Sequence, residues 1–128
     1  MPSETTQKSR VLMVDDDQEY LGFCTMILRD DGHHVTACSE FNEGRRLLAD
    51  DHFDALIADV RLGAYNGLHL IALAPPSMVK IVLSAFLDPV IRRDAEHAGA
   101  RFLVKPADCA SISELLSQTD QAPTAQPR

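Results

Sequence analysis

The chain of 128 residues predicts a doubly wound α/β fold built on a five-stranded parallel sheet. First, short apolar runs alternate with amphipathic stretches from Arg10 to about Gln118, and there is no internal repeat. Second, Val11-Leu12-Met13-Val14, Ala55-Leu56-Ile57-Ala58 and Phe102-Leu103-Val104 are unbroken apolar runs. Strands covered on both faces read that way. Third, each of these runs stops on charge: Asp15-Asp16-Asp17, Asp59, and Lys105-Pro106. A βα repeat of this kind closes into a parallel sheet with right-handed crossovers and helices on both faces.

The elements follow in order. Strands are expected at Val11–Val14, His34–Cys38, Ala55–Ala58, Ile81–Leu83 and Phe102–Val104. Asp17 can cap a first helix with Leu21, Cys24, Ile27 and Leu28 on one face and Gly32 at its end. Ser39 can cap a second, whose apolar side is Phe41, Leu47 and Leu48. Gly67 opens a short third helix, Leu68 to Ala74, stopped by Pro75-Pro76. Asp88 before Pro89 starts a fourth, which runs to Ala98 and ends at Gly99. For a fifth, two or three turns long, either Asp108 is the cap or Ser111 and Glu114 form a capping box. Residues 1–9 read as an N-terminal extension, 10–118 as the domain, and 119–128 as a disordered tail or truncated linker.

Composition narrows the function. A net charge of −7 argues against a nucleic-acid surface, because phosphate backbones are held by Lys and Arg. No apolar stretch approaches the ~20 residues needed to span a membrane. Met1-Pro2-Ser3-Glu4 lacks the basic-then-apolar order of a signal peptide, so a cytoplasmic location is expected. In that compartment disulfides are not expected, and Cys24, Cys38 and Cys109 read as small core hydrophobes. His33, His34 and Cys38 make no complete zinc ligand set.

The strand ends carry the chemistry. In a parallel sheet the ligand crevice lies beyond the carboxyl ends of the strands, so Asp15, Asp16, Asp59 and Lys105 would meet there. Gathered carboxylates repel by roughly 4 kcal/mol per pair at ~4 Å and an effective dielectric near 20. Such a cluster calls for a positive partner, most simply a divalent cation. Asp17 reads as a helix cap alone.

These residues, with Ser84 ending the fourth strand, Leu62, Asn66 and Gly67 after Asp59, and Ala98-Gly99-Ala100, resemble the receiver domain of bacterial two-component response regulators over about residues 10–118. The resemblance implies a flavodoxin-like receiver fold and a phosphoacceptor function rather than turnover of a substrate. Asp59 would be the nucleophile that becomes an aspartyl phosphate. Mg²⁺ would be held by Asp16, Asp59 and the Arg61 backbone carbonyl, with Asp15 acting mostly through a water. Lys105, preceding a proline that the family holds cis, would pair with one phosphoryl oxygen and Ser84 with another. Phe102 would be the aromatic that turns inward on activation.

The implied partners are a sensor histidine kinase or histidine phosphotransfer protein and a downstream effector. The surface they would read is the fourth helix, fifth strand and fifth helix, with Arg92, Arg93, Asp94 and Glu96 exposed; a dimer through the same surface is included. Gly63 stands where the family usually has Pro, which would loosen the loop beside Asp59. In the family the positions of Arg61 and Phe86 flank the approach of a hydrolytic water; neither residue is a carboxylate or amide able to orient one and both are bulky enough to obstruct it, so slow self-dephosphorylation is expected.

Two other classes fit less well. A pseudo-receiver, a binding module without phosphorylation, would not need the intact acidic pair, Asp59, Ser84 and Lys105. A haloacid dehalogenase-type phosphohydrolase also begins Asp-x-Asp, but this chain has Glu19 where that family has Thr or Val and is too short for its cap.

Overall fold

The computed structural model describes residues 9–106 and 109–121, with side chains for 9–106 and 111–117. Its main strands are β1 (Arg10–Val14), β2 (His34–Cys38), β3 (Ala55–Asp59), β4 (Val79–Ser84) and β5 (Arg101–Val104). They form one parallel sheet in the order β2-β1-β3-β4-β5. The order reverses between β1 and β3, which opens a crevice at their carboxyl ends. Asp15 and Asp59 stand on either side of it.

Alternation along the central strands divides the core. Leu12, Val14, Leu56, Ala58 and Val82 pack with Phe41, Leu70, Ile71 and Ala95, which come from α2 (Phe41–Asp50), α3 (Leu68–Leu73) and α4 (Pro89–His97). Val11, Met13, Ile57, Ile81 and Leu83 pack on the other face with Leu21, Cys24, Leu28, Ile112 and Leu116, from α1 (Gln18–Asp30) and α5 (Cys109–Gln121). The expected fold class is the observed one.

Local signals account for most helix ends. Asp17 caps α1 by accepting the Tyr20 N–H at 3.2 Å. Asp88 caps α4 through the N–H groups of Val90 and Ile91, with Pro89 at the first helical position. Gly99, at φ +84°, supplies the left-handed turn after α4.

Four expectations need correction. The cap residue of α2 is Glu40, not Ser39, and it makes no side-chain cap bond. Helix α5 begins at Cys109, so Ser111 lies inside it and forms no capping box; Asp108 lies outside the described residues. This helix also has 13 residues and runs to Gln121, longer than the two or three turns expected. Finally, Cys24 is disulfide-bonded, while Cys38 is a free thiol whose pKa burial pushes up to about 11. Spacing along the chain carries no signal for that bond.

No helix among the described residues is long and apolar enough to cross a membrane. His33 sits in the core with its Nε2 3.2 Å from the Ser113 Oγ, a structural contact between the β2 approach and α5.

Candidate functional site

The crevice gathers the strand-end carboxylates. Oxygens of Asp15, Asp16 and Asp59 lie within 4.8 Å of one another. Asp15 is fully buried and Asp59 nearly so, whereas Asp16 is exposed at the mouth. Lys105 reaches in from the end of β5, its Nζ 3.1 Å from Asp15 Oδ2 and 3.5 Å from Asp59 Oδ2. The Lys105-Pro106 peptide is cis.

Electrostatics follow from this packing. Burial, and then the Asp15 charge, push the Asp59 carboxyl up to about 6, against the pull of Lys105. Burial works to lower the Lys105 pKa, but the Asp15 hydrogen bond and charge, joined by Asp59, outweigh it and raise the pKa. One ammonium therefore leaves residual repulsion in the cluster. The donors are all oxygens, the set that hard divalent cations such as Mg²⁺ or Ca²⁺ take. An ion here would offset the Asp15 repulsion that adds to burial in raising Asp59, so the residues fit one.

The backbone after β3 is held tightly. A Cβ at Gly67 would overlap the Asp59 carbonyl oxygen, so only glycine allows this approach. Its N–H donates to the Val60 carbonyl at 2.7 Å. Arg61–Leu62 and Tyr65–Asn66 pair as a short antiparallel hairpin that periodicity could not reveal, since each arm has two residues. Tyr65 stacks on Phe41 of α2 with ring centroids 4.7 Å apart. Gly63, at φ +63°, donates its N–H to Asp16 Oδ2 at 3.3 Å. A proline there could do neither, so Gly63 does not loosen this loop but ties it to the acidic pair.

The loop after β4 is different. The Ser84 hydroxyl donates to the Phe86 carbonyl at 2.8 Å and accepts the Phe86 N–H at 3.2 Å, so it is engaged by its own loop. Phe86 and Leu87 are 69% and 65% exposed. A cleft of about 350 Å³ joins both loops, lined by Asp16, Asp59, Arg61, Ser84, Phe86 and Asp88. Phe102 is half-buried, packed against the core layer of α2, α3 and α4. Sequence reasoning missed the Phe41–Tyr65 stack, Asp88 as a lining residue, and Tyr20, whose ring centroid lies 4.9 Å from Lys105 Nζ. None of these carries a local signal, because each depends on elements distant in sequence.

Comparison with known proteins identifies the family. The model of the response regulator receiver domain matches residues 11–117. The chain belongs to that family. This receiver domain is 33% identical over 110 residues to the alginate biosynthesis transcriptional regulatory protein AlgB of Pseudomonas aeruginosa, covering 83% of the chain and 24% of that protein. It is 34% identical over 111 residues to the two-component response regulator ARR12 of Arabidopsis thaliana, covering 83% of the chain and 19% of that protein. The chain thus spans about a quarter or less of the length of these relatives. Among solved structures, a Burkholderia pseudomallei response regulator with a phosphorylated aspartic acid, calcium ion and citrate superposes with a TM-score of 0.77 at 27% identity. That match covers 90% of this chain and 70% of the other.

Proposed function

We propose that this receiver domain accepts a phosphoryl group on Asp59 from a histidine kinase or histidine phosphotransfer protein, with Mg²⁺, and thereby switches a protein-interaction surface. The observation that carries the reading is the convergence of Asp15, Asp16, Asp59 and Lys105 at one strand-end crevice. The phosphorylated aspartic acid and calcium ion of the Burkholderia regulator support it.

Asp59 acts as the nucleophile. One of its carboxylate oxygens bonds to phosphorus while the bond from phosphorus to the donor's nitrogen or oxygen breaks. At neutral pH the carboxylate, the form that attacks, predominates over the acid because its pKa is about 6. Asp16, Asp59 and the Arg61 carbonyl would hold Mg²⁺ directly and Asp15 mostly through a water, and the ion would offset the charge of carboxylate meeting phosphate. Lys105 exchanges its Asp59 contact for a phosphoryl oxygen. Ser84 leaves the Phe86 backbone to donate to another, and the loop after β4 moves with it.

Phe102 then turns into the space released, altering the face made by α4, β5 and α5. Arg92 and Glu96, paired one turn apart along α4 at 3.2 Å, line the groove of that face with Phe102 and Leu115. An effector or a second copy reads this face. The domain is a cytoplasmic signalling module that catalyses only its own phosphoryl transfer and loss. Arg61 and Phe86 at the cleft offer no carboxylate or amide to orient the attacking water and are bulky enough to obstruct it, so self-dephosphorylation is slow; Arg61→Asn with Phe86→Glu speeds it, followed as loss of phosphoprotein over time.

Mass spectrometry after incubation with acetyl phosphate and Mg²⁺ tests the assignment. One stable phosphoryl group, absent from Asp59→Asn, is the expected result. No incorporation means a pseudo-receiver, and phosphate release with repeated turnover means a hydrolase.

A further inference from the structure

We propose that Tyr20 is a positioning residue for Lys105, its ring face holding the ammonium at the acidic cluster before, during and after phosphoryl transfer. The inference rests on the phosphoacceptor reading of Asp59 and adds to that site a residue from the first turn of α1.

The geometry is specific. Asp17 accepts the Tyr20 N–H, and the Asp17 N–H in turn donates to Asp15 Oδ1 at 2.9 Å. The acidic turn therefore fixes the backbone of Tyr20 relative to the carboxylate that binds Lys105. The ring packs against the core layer that also takes Leu103 of β5. Lys105 Nζ lies over this ring, 4.9 Å from its centroid, while it hydrogen-bonds Asp15 Oδ1 at 3.2 Å and Asp59 Oδ2 at 3.5 Å. Carboxylates and an aromatic face thus share one cation.

Their roles differ. The Asp59 contact must be given up when a phosphoryl group arrives on that residue, and the Asp15 contact competes with whatever cation the cluster holds. A π face carries no formal charge and does not change with phosphorylation. It attracts an ammonium through its quadrupole, and more strongly where water is excluded. Lysine is a point charge on a flexible four-carbon stem, so without a fixed wall it would exchange toward solvent as its carboxylate contacts loosen. Tyr20 supplies that wall. The competing explanation is that Tyr20 merely fills space between α1 and β5.

Two substitutions separate these explanations. Tyr20→Leu retains an apolar side chain and removes the π face, whereas Tyr20→Phe retains the face and removes only the hydroxyl. Phosphorylation of the full chain by acetyl phosphate at saturating Mg²⁺ is expected to slow about three- to tenfold in Tyr20→Leu and to stay within about twofold of wild type in Tyr20→Phe. The Mg²⁺ concentration for half-maximal rate should be unchanged in both. NMR of the Lys105 ε-methylene should show an upfield ring-current shift in wild type and Tyr20→Phe that disappears in Tyr20→Leu.

Tyr20→Leu reacting at the wild-type rate, or Tyr20→Phe as slow as Tyr20→Leu, overturns the proposal. So does a Lys105 ring-current shift that survives in Tyr20→Leu. A wild-type chain that takes no phosphoryl group overturns the Asp59 reading and this inference together. A phosphorylated wild type with an indifferent Tyr20 overturns this inference alone.

Discussion

The two loops that wall the cleft are held in different ways. The loop after β3 is fastened from outside itself: Gly67 rests on the Asp59 carbonyl, Tyr65 on Phe41, and Gly63 on Asp16. The loop after β4 is fastened mainly to its own residues, through the Ser84 hydroxyl and the Phe86 backbone, and its apolar side chains stand in solvent. Moving the first loop would break tertiary contacts with α2 and the acidic pair. Moving the second trades one hydroxyl hydrogen bond for another and uncovers little. Under the proposed function the first wall would be a template for ligands and the second a switch, whose second state a small energetic bias would populate.

The largest effect expected from breaking this asymmetry is at Gly67. Gly67→Ala places a methyl group against the Asp59 backbone, and because backbone cannot yield as a side chain does, the cost is expected near the upper end of overpacking, about 3 kcal/mol. Urea unfolding measures it, and a change below about 1 kcal/mol would show that the β3 loop is not the rigid wall.

Next is the charge that the rigid wall confines. The Asp59 carboxyl titrates near 3.9 when unfolded and at about 6 in the fold. The folded state therefore binds more protons between these values. The stability this carboxyl contributes is complete below about pH 4 and is lost as pH rises through about 6. In metal-free buffer Asp59→Asn should be more stable than wild type by about 1–3 kcal/mol near pH 7.5, with the difference closing toward pH 4. A gap that widens on acidification would contradict the raised pKa of the buried Asp59 carboxyl.

Smaller effects come from the loop side chains. Tyr65→Ala is expected to cost about 1 kcal/mol through loss of its stack on Phe41 and to weaken the thermal response to Mg²⁺, because the hairpin carries Arg61 and Gly63. Phe86→Ala should stay within about 0.5 kcal/mol of wild type, since that ring is 69% exposed. Equal costs at the two positions would erase the contrast between the walls.

What could be read from sequence follows the same division. Asp15, Asp59 and Lys105 were legible because they terminate unbroken apolar runs, and the caps at Asp17 and Asp88 because their partners lie within three residues. Gly67 was legible as a helix start, but its seat on Asp59 was not. The hairpin arms are too short to show a period, and the Phe41–Tyr65 and Tyr20–Lys105 contacts exist only once α1, α2 and the strand ends are assembled. Ser39 looked like a cap because Ser favours that position; the extended residue before the first helical turn is instead Glu40, which caps α2 by backbone alone.

Backbone amide NMR tests the central claim most directly, by comparing the chain with Mg²⁺ alone and with Mg²⁺ plus acetyl phosphate, so that metal binding cancels. The largest shift changes are predicted at Ser84, Phe86 and Leu87, with Tyr65, Asn66 and Leu68 moving far less. Larger changes in the hairpin than in the β4 loop, or no change at either, would contradict the account.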